Sequence, residues 1–126
     1  MAKILVADDY SDLLYLFPML LKQEGHIVES VSSKDKVKST LSTFLPDLVI
    51  LDVRLRGEDG RKLCKEIKEN HNKDIPVILM SASGQLLNDY SEWNADAVIE
   101  KPFDIHILNE TINEVLDRYQ NIAAGI

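Results

Sequence analysis

The 126-residue chain has little that would staple, anchor or divide it. Its only cysteine is Cys64, so no internal disulfide can form, and a lone thiol fits a reducing cytoplasm. No apolar run approaches the roughly 20 residues that cross a bilayer. The start, Met1-Ala2-Lys3, passes straight into a strand-like run and predicts no signal peptide. Basic residues are scarce: 14 Lys and Arg against 21 Asp and Glu give a net charge of −7, which argues against non-specific binding to nucleic acid or to an anionic membrane. Repeats, low-complexity tracts and Pro/Gly/Ser linkers are absent. The expectation is a single cytoplasmic domain over residues 1–126, large enough for one core.

What is present is a series of short aliphatic runs alternating with helix-period segments. The organising run is Leu48-Val49-Ile50-Leu51-Asp52, four consecutive aliphatics that read as a strand buried on both faces, with a carboxylate where the strand ends. Similar runs occur at Lys3–Ala7, at Ile27–Val31 (an edge strand, since Glu29 interrupts it), at Val77–Ser81 and at Ala97–Glu100. Between them, apolar residues recur at helical spacing. Leu13, Leu16, Phe17, Leu20 and Leu21 form the first set, with Ser11 as N-cap, Gly25 as stop and Pro18 predicting a kink near Leu14. Ser32-Ser33-Lys34-Asp35 reads as a capping box before Val37, Leu41, Phe44 and Leu45, with Pro46 ending that helix. Leu63, Cys64 and Ile67 mark a third helix, Cys64 being a small core residue. Leu86, Leu87 and Tyr90 are the inward residues of a short fourth over Gly84–Trp93. Leu108, Ile112, Val115, Leu116 and Tyr119 line the last, and residues 122–126 are expected to fray. Five strands alternating with five helices argue for an α/β fold with a parallel sheet and right-handed crossovers. The strand order cannot be read from this pattern.

The strand ends carry the chemistry. Asp8-Asp9, Asp52, Ser81 and Lys101 each follow or close an apolar strand, and in a parallel sheet those ends face the same way. Three crowded carboxylates repel one another unless a cation neutralises them, and oxygen ligands with spare water positions suit Mg²⁺. Lys101 offers a compact positive charge and Ser81 a hydroxyl for phosphoryl oxygens, while a carboxylate can itself be a nucleophile. His26, His71 and His106 are scattered and read as surface or capping residues.

Taken together, Asp8-Asp9, Leu51-Asp52 with Asp59-Gly60, Met80-Ser81-Ala82, and Ala95-Asp96 with Lys101-Pro102-Phe103 resemble the response-regulator receiver domain of two-component signalling, like the stand-alone chemotaxis receiver. The resemblance spans residues 3 to 120. It implies a flavodoxin-like, doubly wound five-stranded parallel sheet of order 2-1-3-4-5 with five helices. It implies Asp52 as the acceptor of a phosphoryl group from a histidine kinase or phosphotransfer protein. Asp9, Asp52 and the Arg54 backbone carbonyl would ligate Mg²⁺ directly, and Asp8 through water. Ser81 and Lys101 would bind the phosphoryl oxygens, and the Lys101-Pro102 bond would be cis. The expected product is a phosphorylation-dependent switch rather than an enzyme, without direct nucleic-acid or membrane binding. Its partner and dimerisation face would lie on the fourth helix, fifth strand and last helix; the output partner itself is not specified. With no sequence beyond the receiver, no built-in DNA-binding output is expected.

Three residues depart from the family pattern. Arg56 stands where proline is usual, Arg54 places a bulky cation two past Asp52, and Val98 takes the position of a frequent Tyr or Phe. The alternative is a Mg²⁺-dependent phosphatase with an Asp nucleophile, which would need a general acid where Arg54 stands. A flavin-binding sheet protein is third, disfavoured because Asp8-Asp9-Tyr10 would repel a phosphate without metal.

Overall fold

Five strands form where the aliphatic runs fall: β1 (Lys3–Ala7), β2 (Ile27–Val31), β3 (Leu48–Asp52), β4 (Val77–Ser81) and β5 (Ala97–Glu100). The structure, a computed structural model, describes residues 2–71, 74–123 and 125. The strands make one parallel sheet of order β2-β1-β3-β4-β5, the order implied by the resemblance. β2 is an edge strand, as Glu29 suggested.

Helices α1 (Ser11–Lys22), α2 (Lys34–Phe44), α3 (Gly60–Glu66) and α4 (Ile105–Ala123) cover the sheet. Alternation along each strand divides the core into two layers. Ile4, Val6, Leu48, Ile50, Ile78 and Met80 pack with Phe17 and Leu21 of α1 and with Leu108, Ile112 and Val115 of α4. Leu5, Ala7, Val49, Leu51 and Leu79 pack on the opposite face with Val37 of α2 and with Leu63 and Cys64 of α3. The Cys64 thiol is buried and its pKa is pushed up to about 12 by desolvation, which makes it a core residue rather than a nucleophile. Among the described residues, no helix is long and apolar enough to cross a membrane.

Several expectations about the helices are corrected. The fourth of the five expected helices is absent: Gly84–Leu87 and Tyr90–Trp93 are two separate 3₁₀ turns. Only Leu87 is buried there, and Asp89, with φ −107° and ψ 32°, breaks the helical path between the turns. One deeply buried side chain is a weak anchor for a helix this short. α3 continues into a π-helical turn, Ile67–His71. The N-cap of α1 is Tyr10 rather than Ser11, because the Tyr10 N–H donates to Asp8 Oδ1 at 2.9 Å and turns the chain one residue early. Ser33 caps α2 by accepting the Lys36 N–H at 3.3 Å. Leu45, expected in the apolar stripe, is exposed and closes α2 with φ 52°, the αR region being disfavoured before Pro46. Pro18 lies inside α1 as expected; the side chains of Leu13 and Leu14, like that of His71, lie outside the described residues. α4 extends to Ala123, so Ile122 is helical, while residues 124 and 126 lie outside the described set.

Candidate functional site

At the carboxyl ends of β1, β3 and β5, three charged side chains meet. The Lys101 ammonium donates to Asp8 Oδ2 at 2.7 Å and forms a shorter bond to Asp52 Oδ2. Asp8 is fully buried and Asp52 is 7% exposed. The remaining oxygens are used as well: Asp8 Oδ1 accepts the Tyr10 N–H, and Asp52 Oδ1 accepts the Arg54 N–H at 2.9 Å. Ser81 is buried beside them at the end of β4; its hydroxyl accepts the Ser83 N–H at 3.0 Å, and its carbonyl accepts the Lys101 N–H at 2.9 Å. The Lys101-Pro102 peptide is cis, as expected.

The charges do not balance. Burial raises the Asp8 carboxyl above its ordinary pKa, with the Asp52 charge adding to the effect, and the bonds from Lys101 and Tyr10 only partly counter it. Burial also pulls Lys101 down, but its bonds to Asp52 and Asp8 outweigh this and hold the ammonium above the usual lysine value. One cation thus serves two carboxylates in a poorly solvated corner.

Asp9 is placed differently. It is exposed, and its Oδ2 accepts the backbone N–H of Arg56 at 3.2 Å. Asp8, Asp52 and Lys101 are therefore in direct contact, Ser81 lies at the neighbouring strand end, and Asp9 is tied to the following loop. Among the described residues, no three Asp, Glu, His or Cys side chains gather closely enough to hold a metal ion. The donor set still suits a hard cation that keeps several waters, since every side chain offered is a carboxylate and two of them share one ammonium.

The loop after Asp52 was not legible as structure in the sequence. Arg54–Leu55 pairs antiparallel with Glu58–Asp59, and the two turn residues, Arg56 and Gly57, have φ of 49° and 78°. Positive φ at both central positions is what a type I′ hairpin requires. The only sequence signal was Gly57, since Arg-Gly is a weak relative of the Asn-Gly and Asp-Gly pairs that favour this turn. Proline, usual at the Arg56 position in the resemblance, cannot adopt that φ and has no N–H. The base of the hairpin is pinned. Leu55 is buried, the Gly60 N–H donates to the Val53 carbonyl at 2.6 Å, and Asp59 caps α3 through the Arg61 N–H at 2.9 Å. A Cβ on Gly60 would overlap the Asp52 carbonyl oxygen, which gives Asp59-Gly60 its physical reason. Arg61 forks onto Asp59 and stacks on the Trp93 ring, 5.1 Å from its centroid, so Trp93 is linked to this loop rather than remote from it.

Beside Lys101 lies an apolar shelf formed by Tyr10, Leu16, Leu20, Pro102, Phe103 and Ile105.

Comparison with known proteins supports the same reading. A family described as the response regulator receiver domain matches residues 4–113. The chain is 29% identical over 123 residues to a probable transcriptional regulator, ycf27, of Guillardia theta, covering 96% of this chain and 48% of that protein. It is 31% identical over 117 residues to the DNA-binding transcriptional regulator NtrC of Klebsiella pneumoniae, covering 91% of this chain and 25% of that protein. It thus spans about half or less of the length of these curated relatives. The receiver domain of NtrX from Brucella abortus superposes with a TM-score of 0.83 at 31% identity, covering 90% of this chain and 98% of that one. The chemotaxis response regulator CheY4 of Vibrio cholerae shares the fold at a TM-score of 0.83 and 21% identity, covering 91% of this chain and 98% of that one. With strand order, acidic corner and family match in agreement, this chain belongs to the response-regulator receiver domains of two-component signalling.

Proposed function

We propose that Asp52 accepts a phosphoryl group from the phosphohistidine of a sensor histidine kinase or phosphotransfer protein, and that the resulting acyl phosphate changes partner binding. The observation that carries this reading is the Asp52–Lys101–Asp8 contact at the strand ends. An Asp52 carboxylate oxygen attacks phosphorus, the P–N bond breaks, and the bond pair goes to the imidazole, which already carries a proton on its other nitrogen and leaves neutral. Lys101 moves from Asp52 to the phosphoryl oxygens, which become the nearest negative charge. Ser81 accepts from Ser83 and so keeps its own hydroxyl proton free to donate to a phosphoryl oxygen. Asp8, Asp9, Asp52 and the Arg54 carbonyl would hold Mg²⁺, which would offset charge between acceptor and donor. The apolar shelf beside Lys101 gives a phosphohistidine protein contact area next to the acceptor.

The phosphatase alternative lacks its second acid, because Arg54 occupies that place in the hairpin. For signal transmission, Val98 is half-buried against the α2/α3 layer. As a β-branched side chain with one χ angle it cannot swing a ring between two positions. Backbone movement of the loops after Asp52 and Ser81 carries the switch instead. The test is incubation with Mg²⁺ and acetyl phosphate followed by intact-mass measurement. One phosphate should add to the parent and none to Asp52→Asn; a gain that survives in Asp52→Asn overturns the assignment. Repeated turnover of a phosphate ester at enzyme-like rates would favour the phosphatase.

A further inference from the structure

The hairpin over residues 54–59 takes hold of the carboxylate next in sequence to the acidic corner. Asp9 follows β1 directly, beside Asp8, yet its Oδ2 accepts the Arg56 N–H at 3.2 Å and makes no bond to Lys101. That amide is available only because Arg56 has φ 49°, at the tip of a tight turn whose base is fixed by buried Leu55 and by the Gly60–Val53 hydrogen bond. The bond is long for one between an N–H and a carboxylate, so it can be released without unfolding the base.

We propose that the Arg56 amide is a positioning group that holds Asp9 back from the Asp8–Asp52–Lys101 corner, so that a divalent cation binds only by drawing Asp9 off the hairpin tip. This rests on the reading of the acidic corner as a cation-assisted phosphoryl site. A cation that prefers the released arrangement must bind more weakly by whatever the latch contributes, and its binding must free the tip. The side chain of Arg56 is not needed; its N–H and its positive φ are. α3 then senses occupancy through the hairpin base, where Asp59 is both its cap and the last residue of the hairpin.

Mg²⁺ titration followed by NMR on three proteins tests this. Arg56→Pro removes the N–H and forbids the turn, and should tighten Mg²⁺ binding by about threefold or more; Arg56→Gly keeps both and should stay within about twofold of the parent. In the parent, saturating Mg²⁺ should speed solvent exchange of the Arg56 amide by about fivefold or more. Equal or weaker affinity in Arg56→Pro than in Arg56→Gly overturns the latch. Should Arg56→Pro fail to fold, the parent's amide exchange decides alone. Mg²⁺ shifts at Asp9 and Asp52 with unchanged Arg56 exchange overturn the latch and leave the phosphoryl site standing. No shift at either residue overturns both.

Discussion

A lysine holds each end of the sheet, buried at one and half-buried at the other, and the two ends differ in charge balance. At the amino ends of β4 and β5, Lys68 donates to Asp96 Oδ2 and to the Tyr119 hydroxyl, both at 2.7 Å. Tyr119 in turn donates to Asp96 Oδ1 at 2.8 Å, and the Val77 N–H completes the set on Asp96 Oδ2 at 2.8 Å. One cation meets one anion, and both carboxylate oxygens are satisfied. At the carboxyl ends, Lys101 meets two buried carboxylates, with a third acid, Asp9, held at the rim. The balanced end ties the π-helical turn after α3, the residue before β5 and α4 together. The unbalanced end has spare negative charge and a carboxyl raised by burial, which is a demand for a cation or a chemical group.

The comparison is broken most directly at Lys68. Lys68→Met leaves the half-buried Asp96 carboxylate without its cation and should cost about 2 kcal/mol in urea unfolding. Lys101→Met should cost clearly less, because the Asp8 carboxyl is already raised and can protonate. Equal losses would erase the distinction between the ends. Tyr119→Phe removes two hydrogen bonds to charged groups and should cost about 1.5 kcal/mol by the same measurement. An unchanged midpoint would show that Lys68 and Asp96 need no third member.

Asp8→Asn should stabilise the protein by about 1 kcal/mol near pH 7 in Mg²⁺-free buffer, since it deletes a poorly compensated buried charge. The pH sign follows from the raised carboxyl. Above the ordinary value of 3.8 and up to the folded value, the native state binds more protons than the unfolded chain. Asp8 therefore lowers stability as pH rises through that window, and Asp8→Asn should remove that slope. A loss of stability near pH 7 would mean that Lys101 compensates both acids. Arg61→Ala is the smallest effect, about 0.5 kcal/mol in urea unfolding from the lost cation–π contact and the partly exposed Asp59 pair together, and the contact itself is read as a change in Trp93 emission. Unchanged emission would detach Trp93 from the loop after Asp52.

The sheet was legible because its information is local. Runs such as Leu48–Asp52 and Val77–Ser81 are continuous in sequence and wholly buried in the structure. Asp8, Asp52 and Lys101 were legible for a related reason: each directly follows or closes a strand, and parallel strands carry their ends to one side. Leu86, Leu87 and Tyr90 do pack on the core as their helical spacing suggested, but spacing does not register the break at Asp89 that splits the segment into two turns. The Lys68–Asp96–Tyr119 network was missed because its members are 28 and 23 residues apart, with no motif joining them.

By itself, the sequence determined the alternation of strands and helices, the strand ends that bear charge and the resemblance that supplied the strand order, since each of these rests on neighbours along the chain. Tertiary structure alone decided which acids share Lys101 and which one is held elsewhere. The Arg56 amide reaches Asp9 across 47 positions of sequence through a turn with positive φ at a non-glycine residue, and only the packed hairpin base beneath it makes that conformation worth adopting.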